Sequence, residues 1–318
     1  MYDIRLNNGT TYLWYPITKE TGFYNVKDFR PVTRTEGPTP GYVFSDPADY
    51  TRTIKNAVAF IATRQGGTLL FPDGDYVVGT TDGYARDPKY EAITLPSGIV
   101  VKGASSNASI PNLSSQNRTS STRIRLRNEN QTIFRIGGCT NQVAISNLEL
   151  LGNTAFFGEG KRSTAGDYGI EAMGRWAMNP MTHVDTPNSS QGFKIENVTF
   201  QGLNKGIYLH NIHDDKCDTN RELCYAWHFD YIVVDHCFFH NNNSGIWIDT
   251  HNTDWRISNS FFAYVATSAP GDGIHIERAG MVVVDTTFGG GYGYGDSIGG
   301  TFIRVGAVAA VTIINSES

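Results

Sequence analysis

Trp255-Arg-Ile-Ser-Asn259-Ser-Phe-Phe262 places an aliphatic residue two positions before an Asn and an aromatic residue three positions after it. The same figure returns in Val143-Ala-Ile-Ser-Asn147-Leu-Glu-Leu150, Phe193-Lys-Ile-Glu-Asn197-Val-Thr-Phe200, Tyr231-Ile-Val-Val-Asp235-His-Cys-Phe238 and Met281-Val-Val-Val-Asp285-Thr-Thr-Phe288, and it begins again at Val311-Thr-Ile-Ile-Asn315. From 147 through 197, 235, 259 and 285 to 315 the steps are 50, 38, 24, 26 and 30 residues. The shortest steps suit one turn of a solenoid and the longer ones carry insertions. A second strand type fits between these segments: Tyr168-Gly-Ile170-Glu-Ala172, Lys205-Gly-Ile207-Tyr-Leu209, Ser244-Gly-Ile246-Trp-Ile248, Asp272-Gly-Ile274-His-Ile276 and Thr301-Phe-Ile303-Arg-Val305. Alternation sends their aliphatic residues inward and the intervening residues outward. An all-β sandwich would use hairpin turns and would not need the same residue at the same phase of successive repeats. The expected fold is therefore all-β, a right-handed parallel β-helix. Asn197, Asp235, Asn259 and Asp285 are expected to stack at one bend, with Leu150, Phe200, Phe238, Phe262 and Phe288 in the core beneath it.

Ahead of the repeats, Asp46-Pro47-Ala48-Asp49 reads as a helix start, with a capping Asp and a Pro at the first helical position. Ile54, Ala57, Val58 and Ile61 form one apolar stripe, and Gly66-Gly67 ends it. Strand-like segments follow at 68–71, 76–78, 93–95 and 99–101, separated by the turns Pro72-Asp73-Gly74 and Pro96-Ser97-Gly98.

Composition narrows the class. The 318 residues are 40% hydrophobic and only 18% charged, which suits an ordered core. A net charge of -5 gives no basic footprint for nucleic acid. No apolar run approaches the ~20 residues of a bilayer span. Met1 is followed by Tyr2-Asp3-Ile4-Arg5, which is not the start of a signal peptide. Cys217 and Cys224 flank one polar segment, and a disulfide closing it is an expectation; Cys139 and Cys237 lie elsewhere. Asn-x-Ser/Thr triplets at Asn8, Asn107, Asn112, Asn117, Asn130, Asn188, Asn197 and Asn242 are what a chain rich in these residues makes by chance.

With the helix, the Pro-Asp-Gly turn and the coils in this order, the chain resembles the pectate-lyase-like parallel β-helix superfamily, which includes polygalacturonases, β-1,3-glucanases and phage tailspikes. The resemblance is carried by Phe23-Tyr-Asn-Val-Lys-Asp-Phe29, the helix, Gln65-Gly-Gly-Thr-Leu-Leu-Phe-Pro-Asp-Gly-Asp-Tyr76 and Leu95-Pro-Ser-Gly-Ile-Val-Val-Lys-Gly103. Where the family has Gly-Asp-Gly-x-x-Asp-Asp, this chain has Arg30-Pro-Val-Thr-Arg-Thr-Glu-Gly37. The resemblance implies one β-helix domain over 1–318: an N-terminal segment to about 45, a helix within 46–67 capping the open end, and coils over 68–318. The last coil stops within a repeat, so a further C-terminal part or self-association is expected. Extracellular action on a polysaccharide is also implied.

Two outward columns on the second strand type are candidates for that action. One reads Glu171, Tyr208, Trp247, His275, Arg304, and the other reads Met173, His210, Asp249, Glu277, Gly306. Coils stacked ~4.8 Å apart would set Asp249 over Glu277, near the carboxyl separation of a retaining glycosidase. Tyr208 and Trp247 would stack on sugar rings, with Arg278 close by. The bland alternative is a polar ladder in which His210, Arg278 or a cation relieves the carboxylate pair. A polygalacturonase-like reading instead picks Asn252-Thr253-Asp254 and Gly271-Asp272-Gly273, with Asp254 and Asp272 as acid and base. That match lacks the family's second Asp, its Gly-His-Gly and the Lys after Arg304-Val305. His210 and His213 with Asp214 and Asp215 form a metal cluster only if their loop folds back. No cofactor motif is present, and calcium is left open. Three functions remain: a glycosidase or lyase, a carbohydrate-binding or adhesin solenoid, and a structural element stacking through its open end.

Overall fold

A computed structural model describes residues 22–29, 32–35, 41–44, 50–79, 92–106, 121–136, 140–153, 166–174, 177–178, 185–186, 189–211, 228–250, 253–263, 271–289 and 301–314. The predicted helix start, the Cys217/Cys224 loop and the His213, Asp214, Asp215 cluster lie outside the described residues.

Parallel pairing organises almost every described strand. A first ladder runs from Phe23–Asn25 through Gly67–Phe71 and Ile99–Gly103 to Asn141, Gln191, Asp230 and onward to Ile313. A second joins Gly74–Val78, Thr122–Leu126, Glu149, Thr199, Phe238–His240, Phe261 and Thr287. The third joins Ile93–Leu95, Thr132–Ile136, Tyr168–Gly174, Lys205–Asn211, Ser244–Asp249, Asp272 and Thr301. Each coil thus has three strands, one more than the two repeat motifs suggested. Asp272–Gly289 is a single strand that winds through all three ladders. Parallel crossovers are almost always right-handed, and the architecture is a right-handed parallel β-helix.

The core is a set of columns. Inward residues Ile145, Ile195, Val234, Ile257 and Val284 share one register on the first ladder, and Ile170, Ile207, Ile246 and Ile274 share another on the third. All are at most 3% exposed. On the second ladder Leu150, Phe200, Phe239, Phe262 and Phe288 are in line. Phe239 stacks on Phe200 at 4.7 Å and on Phe262 at 4.5 Å. This corrects the expected register: Phe238 faces the other way, over Phe261.

The bend shows the same one-residue slip. Asn147, Asn197, His236 and Asn259 are the left-handed residues there, with φ of 57°, 53°, 50° and 48°. Asp235 lies one residue earlier, in register with Glu196, Ser258 and Asp285. Val234 therefore stands two residues before the bend residue His236, as Ile257 does before Asn259, and the Asp precedes the bend position instead of occupying it. The ladder still closes by hydrogen bonds: Asn197 donates to Asn147 at 2.8 Å, and Asn259 donates to Asp235 at 2.9 Å. Asn242 is 1% exposed with both amide atoms bonded, so the folded chain offers no glycosylation acceptor there.

The glycine before Ile170, Ile207 and Ile246 has a steric cause. A Cβ on Gly169, Gly206 or Gly245 would lie 2.6–2.7 Å from the carbonyl oxygen of the next glycine and within about 3.0 Å of the Phe200, Phe239 or Phe262 ring. Only glycine lets this corner approach the Phe stack.

Helix α1 (Thr51–Thr63) buries Ile54, Ala57, Val58 and Ile61. They join the hydrophobic core at the first coil, where α1 meets Gly67–Phe71, Ile93–Leu95 and Val26–Phe29. The stop is as read, except that Gln65 rather than glycine takes the left-handed position at φ 63°. At the other end Val305 and Ile313, in inward register, are 46% and 55% exposed.

Left-handed residues also line the corner entering the first ladder, at Gly98, Gln142, Gly192 and Tyr231. Tyr231 holds φ 58° with 68% of its surface exposed, so it takes on the strain of a left-handed residue without burial to offset it. Tyr231→Gly is expected to raise stability by about 1 kcal/mol in urea unfolding; a lower midpoint would show that the ring holds the corner.

Candidate functional site

The outward column of the third ladder is present as read. Glu171, Tyr208, Trp247, His275 and Arg304 are consecutive partners, and Arg135 extends the column beyond Glu171. The second column changes. His210 is opposite Asp249, but a bulge after Ile248 brings Asp249 opposite Arg278 instead of Glu277. Arg278 donates to Asp249 at 2.6 Å. The Asp249/Glu277 glycosidase pair is therefore not formed: one carboxylate is bound to a guanidinium and the other is displaced by the bulge.

The aromatic residues also do other work than expected. Trp247 stacks on His275 with ring centroids 3.7 Å apart, one coil further on. Lys205, one coil back, holds its ammonium 4.8 Å from the Trp247 ring, 4.5 Å from Tyr208 and 5.2 Å from Tyr168. Tyr208 in turn stacks on His210 at 4.1 Å. The ring faces are thus used within the column, where the sugar platform read from Tyr208 and Trp247 would have needed them open.

Two charged knots flank this ladder. In the first, Glu171 accepts from Arg135 at 2.7 and 3.0 Å and from Thr132 at 3.1 Å, and meets His210 at 3.0 Å. Burial acts most strongly on Glu171 and opposes ionisation, but the His210 hydrogen bond and Arg135 outweigh it and hold the carboxyl below its usual range. In the second, buried Asp272 meets His275 Nδ1 at 2.7 Å and accepts from Arg304 at 2.9 Å. Burial again opposes ionisation there, and the Arg304 and His275 hydrogen bonds again prevail. The other ring nitrogen, His275 Nε2, lies 3.0 Å from Glu277, whose side chain is 54% exposed. Asp272, His275 and Glu277 form a chain from the interior to solvent.

Burial, aided by Tyr168, Asp249 and Glu171, pushes the Tyr208 phenol up to about 12, so it stays protonated near neutral pH. Burial pushes the Lys205 ammonium down to about 8, against a smaller opposing pull from Glu171. No carboxylate lies within ion-pair distance of Lys205 among the described residues.

Lys205, Tyr168 and Arg135 were missed by the reading of the sequence. Strict alternation assigns the residue before each third-ladder glycine to the core, yet the glycine corner brings the Tyr168 and Lys205 side chains to Tyr208 and the Asp272 carboxylate to His275. Their polar identity was the available signal.

The polygalacturonase-like pair does not converge. Asp272 begins a third-ladder strand beside Ser244, whereas Asp254 follows the far end of the strand Ser244–Asp249. Five residues of extended chain separate those ends, roughly 17 Å. Arg304 does belong with Asp272. His236 is exposed beside Asp235, and His240 stacks on Phe238. Among the described residues no group of three or more His, Cys, Asp or Glu could hold a metal ion.

No protein-family model matches the chain, and no curated protein resembles it in sequence. Similar solved structures include the A-module of a mannuronan C-5 epimerase of Azotobacter vinelandii, with 15% identity, 92% of this chain and 76% of that chain covered, and a TM-score of 0.49. A tailspike protein of Escherichia coli bacteriophage HK620, in complex with a hexasaccharide, has 11% identity, covers 99% of this chain and 54% of that chain, and has a TM-score of 0.36. Both are parallel β-helix proteins. At these values the likeness concerns the fold, which the strand registers establish independently.

Proposed function

We propose that this protein binds and cleaves an extracellular polysaccharide along the third-ladder face, with Glu277 as the proton-transfer group that meets the substrate. The observation that carries this is the chain Asp272–His275–Glu277, in which a buried carboxylate orients an imidazole whose other nitrogen meets a solvent-exposed carboxylate. A histidine fixed in this way passes a proton to or from Glu277 without leaving its place under Trp247. Glu171, Asp249 and Asp272 are each bound to an arginine, which leaves Glu277, among the described residues, as the carboxylate of this face able to reach a sugar. Among the described residues a two-carboxylate double displacement finds no second member on this face.

The binding-only reading keeps one observation in its favour, since the same knots also serve as structural ladders. A polysaccharide panel assayed for new reducing ends and for unsaturated products separates the readings. New reducing ends are expected, and an unsaturated product with them identifies a lyase. Binding without either product makes the protein a carbohydrate-binding solenoid, and absence of both overturns the proposal. Trp247→Ala removes the ring that covers His275 and contacts Lys205, a loss of roughly 1 kcal/mol beyond buried area. It is expected to lower both the thermal midpoint and the turnover. Unchanged turnover would detach His275 from the chemistry.

A further inference from the structure

We infer that Lys205 is an anion-binding residue and that the polysaccharide recognised on this face carries acidic substituents. This rests on the reading of the face as a polysaccharide site and names the charge of what binds there. The argument is one of charge matching. Arg135 is paired with Glu171, Arg278 with Asp249 and Arg304 with Asp272, while Glu277 shares a hydrogen bond with His275. Lys205 is left over. Glu171, the carboxylate whose charge acts on it, is already bound by Arg135 and His210.

Three rings hold the ammonium in place, at 4.5, 4.8 and 5.2 Å. Ring faces attract a cation but do not neutralise it, and a half-buried ammonium with no ion-pair partner among the described residues is costly. An incoming carboxylate or sulfate would supply that charge, at a position between the Glu171 knot and the Asp272 knot. A neutral glycan brings nothing to match it. The site also discriminates by pH: binding of an acidic chain weakens as pH rises through about 8, where the ammonium loses its proton.

The test is equilibrium binding at fixed ionic strength of a uronate polymer, its carboxyl-reduced neutral counterpart and a sulfated neutral polymer. The proteins are the parent, Lys205→Met and Lys205→Arg. Methionine keeps the apolar stem against the rings, and a urea midpoint like the parent's shows that the fold is retained. The parent is expected to prefer an acidic polymer over the neutral one by roughly 10- to 100-fold. Lys205→Met should lose that preference and keep the weak neutral binding, whereas Lys205→Arg should retain part of it without the fall near pH 8. Whichever acidic polymer binds more tightly identifies carboxylate or sulfate as the group. Equal binding of acidic and neutral polymers by the parent, or an undiminished preference in Lys205→Met, overturns the inference while the polysaccharide reading stands. Binding of no polymer overturns both.

Discussion

Phe239→Ala is expected to cost about 3–5 kcal/mol in urea unfolding, the range for deleting a buried aromatic ring from a packed core. Phe239 is 1% exposed and is stacked on both faces, by Phe200 and Phe262. Its ring also fills the corner that Gly206 leaves open, so truncation removes contact on several sides and leaves a void between coils. In a solenoid each coil rests on its neighbours, and the void lowers two interfaces at once. Phe238 is the internal control. It lies on the opposite side of the strand, buried at 7% exposure but outside the core cluster, stacks on Phe261 and His240 at 5.5 Å, and has no place in the ring column. Phe238→Ala should cost clearly less. If the two losses were equal or reversed, the register derived from the strand pairing would be wrong.

That contrast also marks how far the sequence could be read. The coil, the Asn-bearing bend and the Gly-Ile strand were legible because each repeats one chemical requirement at one phase. The slip at Asp235 was not. Ile232-Val233-Val234 and Phe238-Phe239 put apolar residues at adjacent positions, so a period of two fits either register. Met281 to Val284 is ambiguous in the same way. The outward column was legible for the reason the slip was not: Tyr208, Trp247 and His275 alternate strictly with Ile and Leu. Its partners were hidden by two local events, the glycine corner that brings Lys205 to the rings and the bulge that exchanges Glu277 for Arg278 opposite Asp249. A one-residue bulge leaves no trace in a pattern where both candidates are charged.

The bulge has a direct consequence for chemistry. Glu277→Gln is expected to lower kcat by roughly 10²–10⁴-fold, the usual contribution of a placed acid–base group, with a smaller change in KM. The amide keeps the size of the side chain and can still meet His275 Nε2, so binding geometry is retained while proton transfer is lost. Asp272→Asn should act through His275: its amide no longer supplies the negative charge that orients the ring and receives Arg304, so kcat should fall and its pH profile should shift. Asp249→Asn weakens the pair with Arg278 and removes a charge acting on Tyr208, neither of them part of the Asp272–His275–Glu277 chain, and its effect should fall on KM. This order of effects follows from the chain Asp272–His275–Glu277 and is not what an Asp249/Glu277 couple would give, where both substitutions would remove comparable turnover. Full kcat in Glu277→Gln, measured on a substrate that the parent cleaves, would remove the proton-transfer group from this face and leave the face a binding surface for chemistry performed elsewhere on the solenoid.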